Sequence, residues 1–328
     1  MVGWQGYTVR VPDDWDLSGY SGGDAEGYFR ADDGTNLALE VKWGTQVPKT
    51  TLPFLPKLSA EALAPDMNLR RESYFKVLRD TAKKKKIAVT TKETDAPRGV
   101  TGGRPERTAA GFRWEGDKRG IGVVWYCATC RRVTIAQVTG DSGAKSGLGA
   151  AADALLGSLE CHDRTPNRRM WAIYDLATVV PTDYALVTAQ LMNVYLRLSF
   201  AKRTARVSVE QWGVANVARK AAYLDDWVSA NAKGELSEAR YRVSEGEVRG
   251  GAAVRYAGGP AWGQPMIEVV KEATRLHQPA TRFGGVAWED AAANKIYLVS
   301  ARRPAREPDI VDEVAAATGN GGVLSRVD

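Results

Sequence analysis

The alternation of apolar and polar residues that is typical of half-buried strands recurs along the first half of the chain. It predicts a strand at 7–11 and a hairpin over 28–43, in which Asp32, Asp33 and Gly34 supply the turn. Further strands are predicted at 87–94 and 109–114, and a second hairpin pairs 120–126 with 133–138. These elements are short and joined by tight turns, which favours antiparallel pairing.

Helical periodicity is confined to a few segments. Residues 69–84 are predicted to be helical, and a helix over 148–160 places five apolar residues on one stripe: Leu148, Ala152, Leu155, Leu156 and Leu159. Prolines interrupt 52–63, which we expect to be irregular. Antiparallel hairpins with a few helices predict an α+β class, with each sheet packed against helices.

The second half of the chain repeats the landmarks of the first half in the same order. In each half, the tryptophan of a Trp-Gly pair lies 31 positions after the proline of a Val-Pro pair. The matched residues are Trp4 and Trp171, Tyr7 and Tyr174, Pro12 and Pro181, Trp43 and Trp212, and Trp125 and Trp288. We therefore predict two tandem repeats at 1–163 and 170–319, followed by a flexible tail at 320–328.

The predicted second repeat contains fewer clear elements than the first. A middle helix is expected over 218–232, a strand over 238–248 and a closing helix around 310–315. The matched tryptophans are most economically packing residues, because they recur at equivalent places in both repeats.

Three features of the chain resemble the PsbP-like fold. They are the opening Val11-Pro12-Asp13-Asp14-Trp15, its counterpart Val180-Pro181-Thr182-Asp183-Tyr184, and the closing strand pair with its final helix. That family includes the photosystem PsbP subunit, the eukaryotic Ran-binding nuclear-transport factor and prokaryotic relatives. The resemblance implies an αβα sandwich in each repeat and a role in binding or assembling other proteins. Only core positions match, so the resemblance assigns no ligand-binding residue.

The net charge of +6 comes from 45 Lys and Arg against 39 Asp and Glu among 328 residues. The basic residues are spread along the chain rather than gathered in one tail: Arg70-Arg71, Lys83 to Lys86, Arg131-Arg132, Arg168-Arg169 and Arg302-Arg303. These clusters make nucleic acid an alternative partner. No stretch approaches the ~20 apolar residues of a membrane span. The first residues lack a secretory signal, so we expect a cytoplasmic protein without a membrane partner.

The three cysteines are the most distinctive chemical feature. Cys127 and Cys130 flank the tip of the second hairpin, and Cys161-His162 follow the predicted helix over 148–160. The strand carries the chain ~20 Å away from the tip and the helix brings it ~20 Å back, so these four residues are expected to meet. Three thiolates and an imidazole suit one structural zinc ion.

Two alternatives to zinc remain open for this cluster. In the first alternative, the cysteines are free thiols in a reducing cytosol, and the helix dipole favours His162 at a helix C-terminus. In the second, the cysteines form a disulfide or a redox centre. Asp290 and Ala293 stand at the matching hairpin positions of the second repeat, so the fold itself does not require cysteine there.

No convincing catalytic motif is present. The chain lacks His-Glu-x-x-His, and Gly19-Tyr20-Ser21-Gly22-Gly23, although it fits Gly-x-Ser-x-Gly, reads as a loop leading into a strand. We therefore expect a non-enzymatic cytoplasmic adaptor or assembly factor that binds another protein, with no cofactor beyond one structural zinc. The alternatives are a nucleic-acid- or ribonucleoprotein-associated protein, and a zinc- or redox-responsive protein using Cys127, Cys130, Cys161 and His162.

Overall fold

Strands account for 51% of the described residues and helices for 19%, so the protein is mainly β and the predicted α+β class is wrong. The computed structural model describes residues 1–46, 64–142, 147–163, 165–219, 222–260 and 281–320. The class differs because strands also occupy segments for which none was predicted, such as Asp16–Gly22 and Ala185–Met192, and because several predicted strands are longer than expected. The strand predicted at 120–126, for example, extends over Lys118–Cys127.

The chain divides into two units by its internal contacts. The first unit comprises Met1–Pro166 and Met170–Tyr174, and the second comprises Asn167–Arg169 and Asp175–Asp328. The first contains a seven-stranded antiparallel sheet of order β3-β4-β5-β9-β8-β7-β6. Its elements are β1 (Val2–Trp4), β2 (Tyr7–Val9), β3 (Asp16–Gly22), β4 (Glu26–Asp32), β5 (Ala38–Thr45), α1 (Met67–Lys84), β6 (Thr90–Thr94), α2 (Arg98–Thr101), β7 (Arg107–Glu115), β8 (Lys118–Cys127), β9 (Arg132–Asp141), α3 (Leu148–Ser158) and part of β10 (Arg168–Ile173).

The second unit contains a seven-stranded sheet of order β12-β13-β14-β18-β17-β16-β15, which corresponds strand for strand to the order of the first sheet. Its elements are β11 (Leu176–Pro181), β12 (Ala185–Met192), β13 (Tyr195–Lys202), β14 (Ala205–Gly213), α4 (Ala215–Ala218), α5 (Leu224–Asn231), a 3-10 helix (Glu235–Glu238), β15 (Ala239–Val248), β16 (Gly251–Pro260), β17 (Thr281–Asp290), β18 (Lys295–Pro304), α6 (Val311–Ala316) and β19 (Gly319–Asn320). The predicted limits of the two repeats stay predictions.

Several predicted elements need correction. The helix expected over 218–232 is instead two short helices, α4 and α5, and residues 220–221 lie outside the described residues. The loop expected at 19–23 lies largely in β3, because backbone pairing with β4 holds this Gly- and Ser-rich segment extended. The irregular segment expected at 52–63 lies outside the described residues, as does the tail beyond residue 320.

The matched tryptophans are packing residues, as predicted. Trp4, Trp43, Trp125, Trp171, Trp212 and Trp288 are all buried. Trp43 packs on Tyr7 in the first unit, and Trp212 packs edge-on against Trp227 in the second, with ring centroids 4.8 and 5.1 Å apart. Such aromatic pairs add to the free energy gained by burying apolar area.

A search of the described helices finds none that combines the length and the apolar character needed to cross a bilayer.

Candidate metal centre

The turn between β8 and β9 places Cys127 and Cys130 side by side. Arg131 adopts φ 56°, in the left-handed region, and donates its backbone N–H to the Cys127 carbonyl at 2.8 Å. Ala128 donates its N–H to the carbonyl of Glu106 at 2.9 Å, which ties the turn to the start of β7. These bonds fix the backbone that carries both thiols.

The segment after α3 returns to this turn as an extended strand. α3 ends at Ser158, Leu159 is extended, and Glu160 forms an antiparallel bridge with Thr8 of β2. The helix predicted over 148–160 is therefore two residues too long. His162 lies beyond the extended bridge and not at a helix C-terminus, so stabilisation of its charge by a helix dipole is not its role.

The four predicted ligand atoms converge, all lying within 4.8 Å of one another. The Nδ1 atom of His162 lies 3.6 Å from the Sγ atoms of both Cys127 and Cys161, and the Cys130 and Cys161 Sγ atoms are 3.8 Å apart. A tetrahedral zinc ion with Zn–S near 2.3 Å and Zn–N near 2.0 Å requires S···S of about 3.8 Å and S···N of about 3.5 Å. These three distances fit that geometry, and the other pairs of ligand atoms lie within 4.8 Å.

Burial and charge also distinguish this cluster. Cys127 and Cys161 are fully buried, Cys130 and His162 are half-buried, and all three cysteines are free thiols. Hydrogen bonds from Cys130 and Cys161 lower the pKa of the Cys127 thiol, whereas hydrogen bonding to Cys127 raises the pKa of Cys130. Hydrogen bonds to Cys127 and Cys161 raise the pKa of His162 to about 10. The metal-free cluster therefore favours a Cys127 thiolate beside the His162 imidazolium.

An ion-pair network that the sequence did not indicate supports Cys161. Arg107 is fully buried at its side chain and donates to Glu160 Oε2 at 2.8 Å, to the Leu159 carbonyl at 3.1 Å, and to Cys161 Sγ at 3.6 Å. Arg104 donates to the second carboxylate oxygen of Glu160 at 2.6 Å. The position of Glu160 directly before Cys161 was a local signal, but nothing in the sequence indicated that two arginines would reach it.

A second buried arginine fixes the same segment from β9. Arg132 donates to the carbonyls of Gln5 and Cys161 at 2.9 and 3.4 Å and pairs with Asp24 Oδ1 at 2.6 Å. Its guanidinium lies over the Tyr7 ring at 5.2 Å. Arg132 is thus a packing and positioning residue rather than part of an exposed basic cluster.

The matching turn of the second unit closes without metal ligands. The Ala293 backbone N–H donates to Asp290 Oδ1 at 3.0 Å, and Asn294 takes the left-handed conformation with φ 54°. A carboxylate hydrogen bond within the turn is present there instead of thiol groups. Within the described ranges, the cluster of Cys127, Cys130, Cys161 and His162 is the one set of potential ligand groups with metal-site spacing.

The basic clusters considered for nucleic acid are partly used inside the protein. Arg71 and Arg132 are buried, Arg168 pairs with Glu313 at 2.7 Å, and Arg303 pairs with Asp309 at 2.9 Å. A nucleic-acid partner bound through these clusters stays a prediction.

Comparisons with known proteins leave the family open. No protein-family model matches the chain, and no curated protein matches it. Among solved structures, the Ran-binding protein Mog1p of Saccharomyces cerevisiae is similar over 43% of this chain and 78% of Mog1p, with 13% sequence identity and a TM-score of 0.27. A similarity this distant does not establish the fold or the family, so the PsbP-like resemblance stays a prediction.

Proposed function

We propose that Cys127, Cys130, Cys161 and His162 bind one zinc ion that stabilises the first unit, and that the protein is a non-enzymatic, protein-binding module. The observation that carries the zinc proposal is the convergence of three Sγ atoms and one Nδ1 atom within 4.8 Å. The S···S distance of 3.8 Å and the two S···N distances of 3.6 Å suit tetrahedral coordination.

The proposed zinc role is structural, because four protein ligands complete a tetrahedral shell and leave no position for water or substrate. The ion would join the β8–β9 turn to the segment that follows α3. The Thr8–Glu160 bridge and the Arg107–Glu160 ion pair hold that segment to β2 and β7, and Arg132 of β9 donates to its Cys161 carbonyl. Three thiolates and one neutral imidazole around Zn²⁺ carry a net charge of −1. The Arg107 guanidinium beside Cys161 suits that charge.

Protein binding is supported by apolar side chains at one end of the second unit. Val194, Val214 and Val217 are 56%, 44% and 62% exposed. Their backbones are neighbours, because the Gly213 N–H donates to the Val194 carbonyl and the Val217 N–H donates to the Val214 carbonyl, both at 2.9 Å. Exposed apolar side chains that cluster in this way favour contact with an apolar surface of another protein.

Elemental analysis of the purified full-length chain, combined with thiol titration before and after a strong chelator, tests the zinc proposal. We expect one zinc per chain and thiols that react only after chelation. Cys130→Ser should lose the metal, and Thr129→Ala, at the exposed tip of the same turn, should keep it. Three reactive thiols without metal in the untreated wild type would overturn the proposal.

Site-specific photocrosslinking in the native host tests the protein-binding part. A photoreactive amino acid at Val217 should give a discrete crosslinked product, whereas the same group at Val77, an exposed apolar position on α1, should not. Equal products at both positions, or none at Val217, would contradict a specific apolar contact.

A further inference from the structure

An arginine-lined trough lies on one face of the second sheet. Cross-strand pairing joins Arg242 of β15 to Ala257 of β16, and Ala257 to Gly284 of β17. Residues directly opposite one another on neighbouring strands share one face of the sheet, so the small residues Ala257 and Gly284 form a floor. The cavity above it has a volume of about 1040 Å³.

Arginines lie on both sides of this floor. One neighbouring row pairs Arg240 with Gly259 and Arg282 with Arg303, and the row on the other side pairs Ser244 with Arg255. All five arginines line the cavity: Arg240, Arg242, Arg255, Arg282 and Arg303. Asp309, which precedes α6, and Val311 and Asp312 in its first turn line one side of the cavity.

The charges of the trough are only partly balanced by the protein. Asp312 pairs with Arg255 at 2.5 Å, and Asp309 pairs with Arg303 at 2.9 Å. Arg242 and Arg282 are exposed and form no ion pair with another described residue. Arg242 and Arg282 thus leave two positive charges without an ion pair among the described residues, which an anionic ligand would neutralise.

The lining distinguishes phosphate groups from nucleic-acid bases. Guanidinium groups match phosphate oxygens with paired donors, whereas base recognition by unpaired strands depends on open aromatic faces. Tyr256 and Phe283 are buried, and Tyr241 packs edge-on against Tyr256 with centroids 5.1 Å apart. The trough therefore presents guanidinium groups rather than stacking surfaces. Its volume of about 1040 Å³ lies just above the ~300–1,000 Å³ that is usual for small-ligand pockets.

We propose that this trough in the second unit binds a small ligand that carries two or more phosphate groups. The proposal is independent of the zinc site, since every lining residue belongs to the second unit. The ligand's phosphates would contact Arg242 and Arg282 first, and the arginines paired with Asp309 and Asp312 would form the walls around it.

Calorimetric titration of the full-length protein with inorganic tripolyphosphate tests this proposal. We expect the double variant Arg242→Gln, Arg282→Gln to bind about tenfold more weakly or worse, because each substitution removes charge-assisted hydrogen bonds. The matched control is Arg10→Gln, Arg113→Gln, which removes two exposed arginines of the first unit and should bind like the wild type. Ala257→Glu places a carboxylate on the floor and should also abolish binding.

Thermal unfolding of each variant verifies that it is folded, since Arg242, Arg282 and Ala257 are exposed. Wild-type protein that does not bind tripolyphosphate, or a trough variant that binds as well as the control, would overturn the proposal. A single-stranded oligothymidylate serves as the other arm. If it binds more tightly than tripolyphosphate and the trough variants lose that binding, the ligand is a nucleic acid and the assigned class is wrong.

Discussion

Thr8 and Glu160 exchange two backbone hydrogen bonds, with N···O distances of 3.1 and 2.8 Å, although 151 residues lie between them in the sequence. This bridge aligns the segment after α3 with β2 at the point where Cys161 and His162 meet the β8–β9 turn. Backbone pairing therefore helps to position the metal ligands, so metal coordination is not the only interaction that brings them together. Substitution of a metal ligand and substitution of a residue that holds Glu160 should therefore have different effects on zinc content and on stability.

Removal of one ligand should destabilise the first unit. Cys161→Ser leaves three ligands and a polar atom in a fully buried position. We expect loss of bound zinc and a fall of at least about 3 kcal/mol in the free energy of unfolding, since metal binding adds to folding free energy. Urea unfolding followed by tryptophan fluorescence measures this. Thr129→Ala serves as the control, and an unchanged midpoint for Cys161→Ser would contradict a structural role for the site.

The buried ion pair beside the site should matter for stability even though it does not bind metal. Arg107→Gln removes one arginine from the Glu160 carboxylate, which is only 15% exposed, and keeps its ion pair with Arg104. Breaking a buried pair costs about 3–5 kcal/mol, and the contact with Arg104 places this variant at the lower end. Chemical denaturation should show that loss, whereas Arg113→Gln on the exposed side of β7 should be nearly neutral. We expect Arg107→Gln to retain zinc, which metal analysis checks.

Chelation should affect one unit selectively. Hydrogen exchange by mass spectrometry should become faster in the β8–β9 turn and in the segment 159–163 when zinc is removed, because local opening there no longer requires breaking coordination. The central strands of the second sheet, β14 and β18, should keep their protection. Uniformly faster exchange throughout both sheets would mean that the metal acts on the whole protein, and unchanged exchange would mean that it contributes nothing.

Protonation of the Asp175 carboxylate in acid should make the second unit less stable. Although burial opposes the effect, hydrogen bonds from Lys295 and Gln211 hold the pKa of Asp175 below its ordinary value of 3.8. A carboxylate with a lowered folded-state pKa stabilises the fold above its ordinary pKa, and that contribution disappears as the pH falls through the folded-state value.

Asp175→Asn should therefore be less stable than the wild type near pH 6, and the difference should shrink near pH 3. Urea unfolding of both proteins at the two pH values measures it, and taking the difference removes effects common to both proteins. A difference that stays constant between the two pH values would contradict the ionic contribution of Asp175.

The convergence of the four metal ligands was predictable because strand and helix lengths convert directly into distances. The conformation of the segment that follows α3 was not predictable, because periodicity does not identify the strand with which an extended residue pairs. Leu159 fits the apolar stripe of α3 but is extended, since Glu160 pairs with Thr8 instead of continuing the helix. The same limit hid Arg107, whose importance arises from a partner that lies 53 positions later in the sequence.

The fold class was wrong for a related reason. β3 contains Gly19, Ser21 and Gly22, which have low strand propensity, and backbone pairing with β4 decides its conformation. The matched tryptophans were predicted correctly because their burial depends on residue type and on recurrence at the same spacing, both of which are local properties of the sequence.

Zinc K-edge X-ray absorption of the purified full-length protein tests the metal centre most directly. We expect three sulfur atoms near 2.3 Å and one nitrogen near 2.0 Å, with no oxygen ligand. Loss of the nitrogen contribution in His162→Ala, with sulfur retained, would agree with Nδ1 as the fourth ligand. A zinc ion surrounded mainly by oxygen and nitrogen, or protein that contains no zinc after growth in zinc-replete medium, would contradict a Cys3His site.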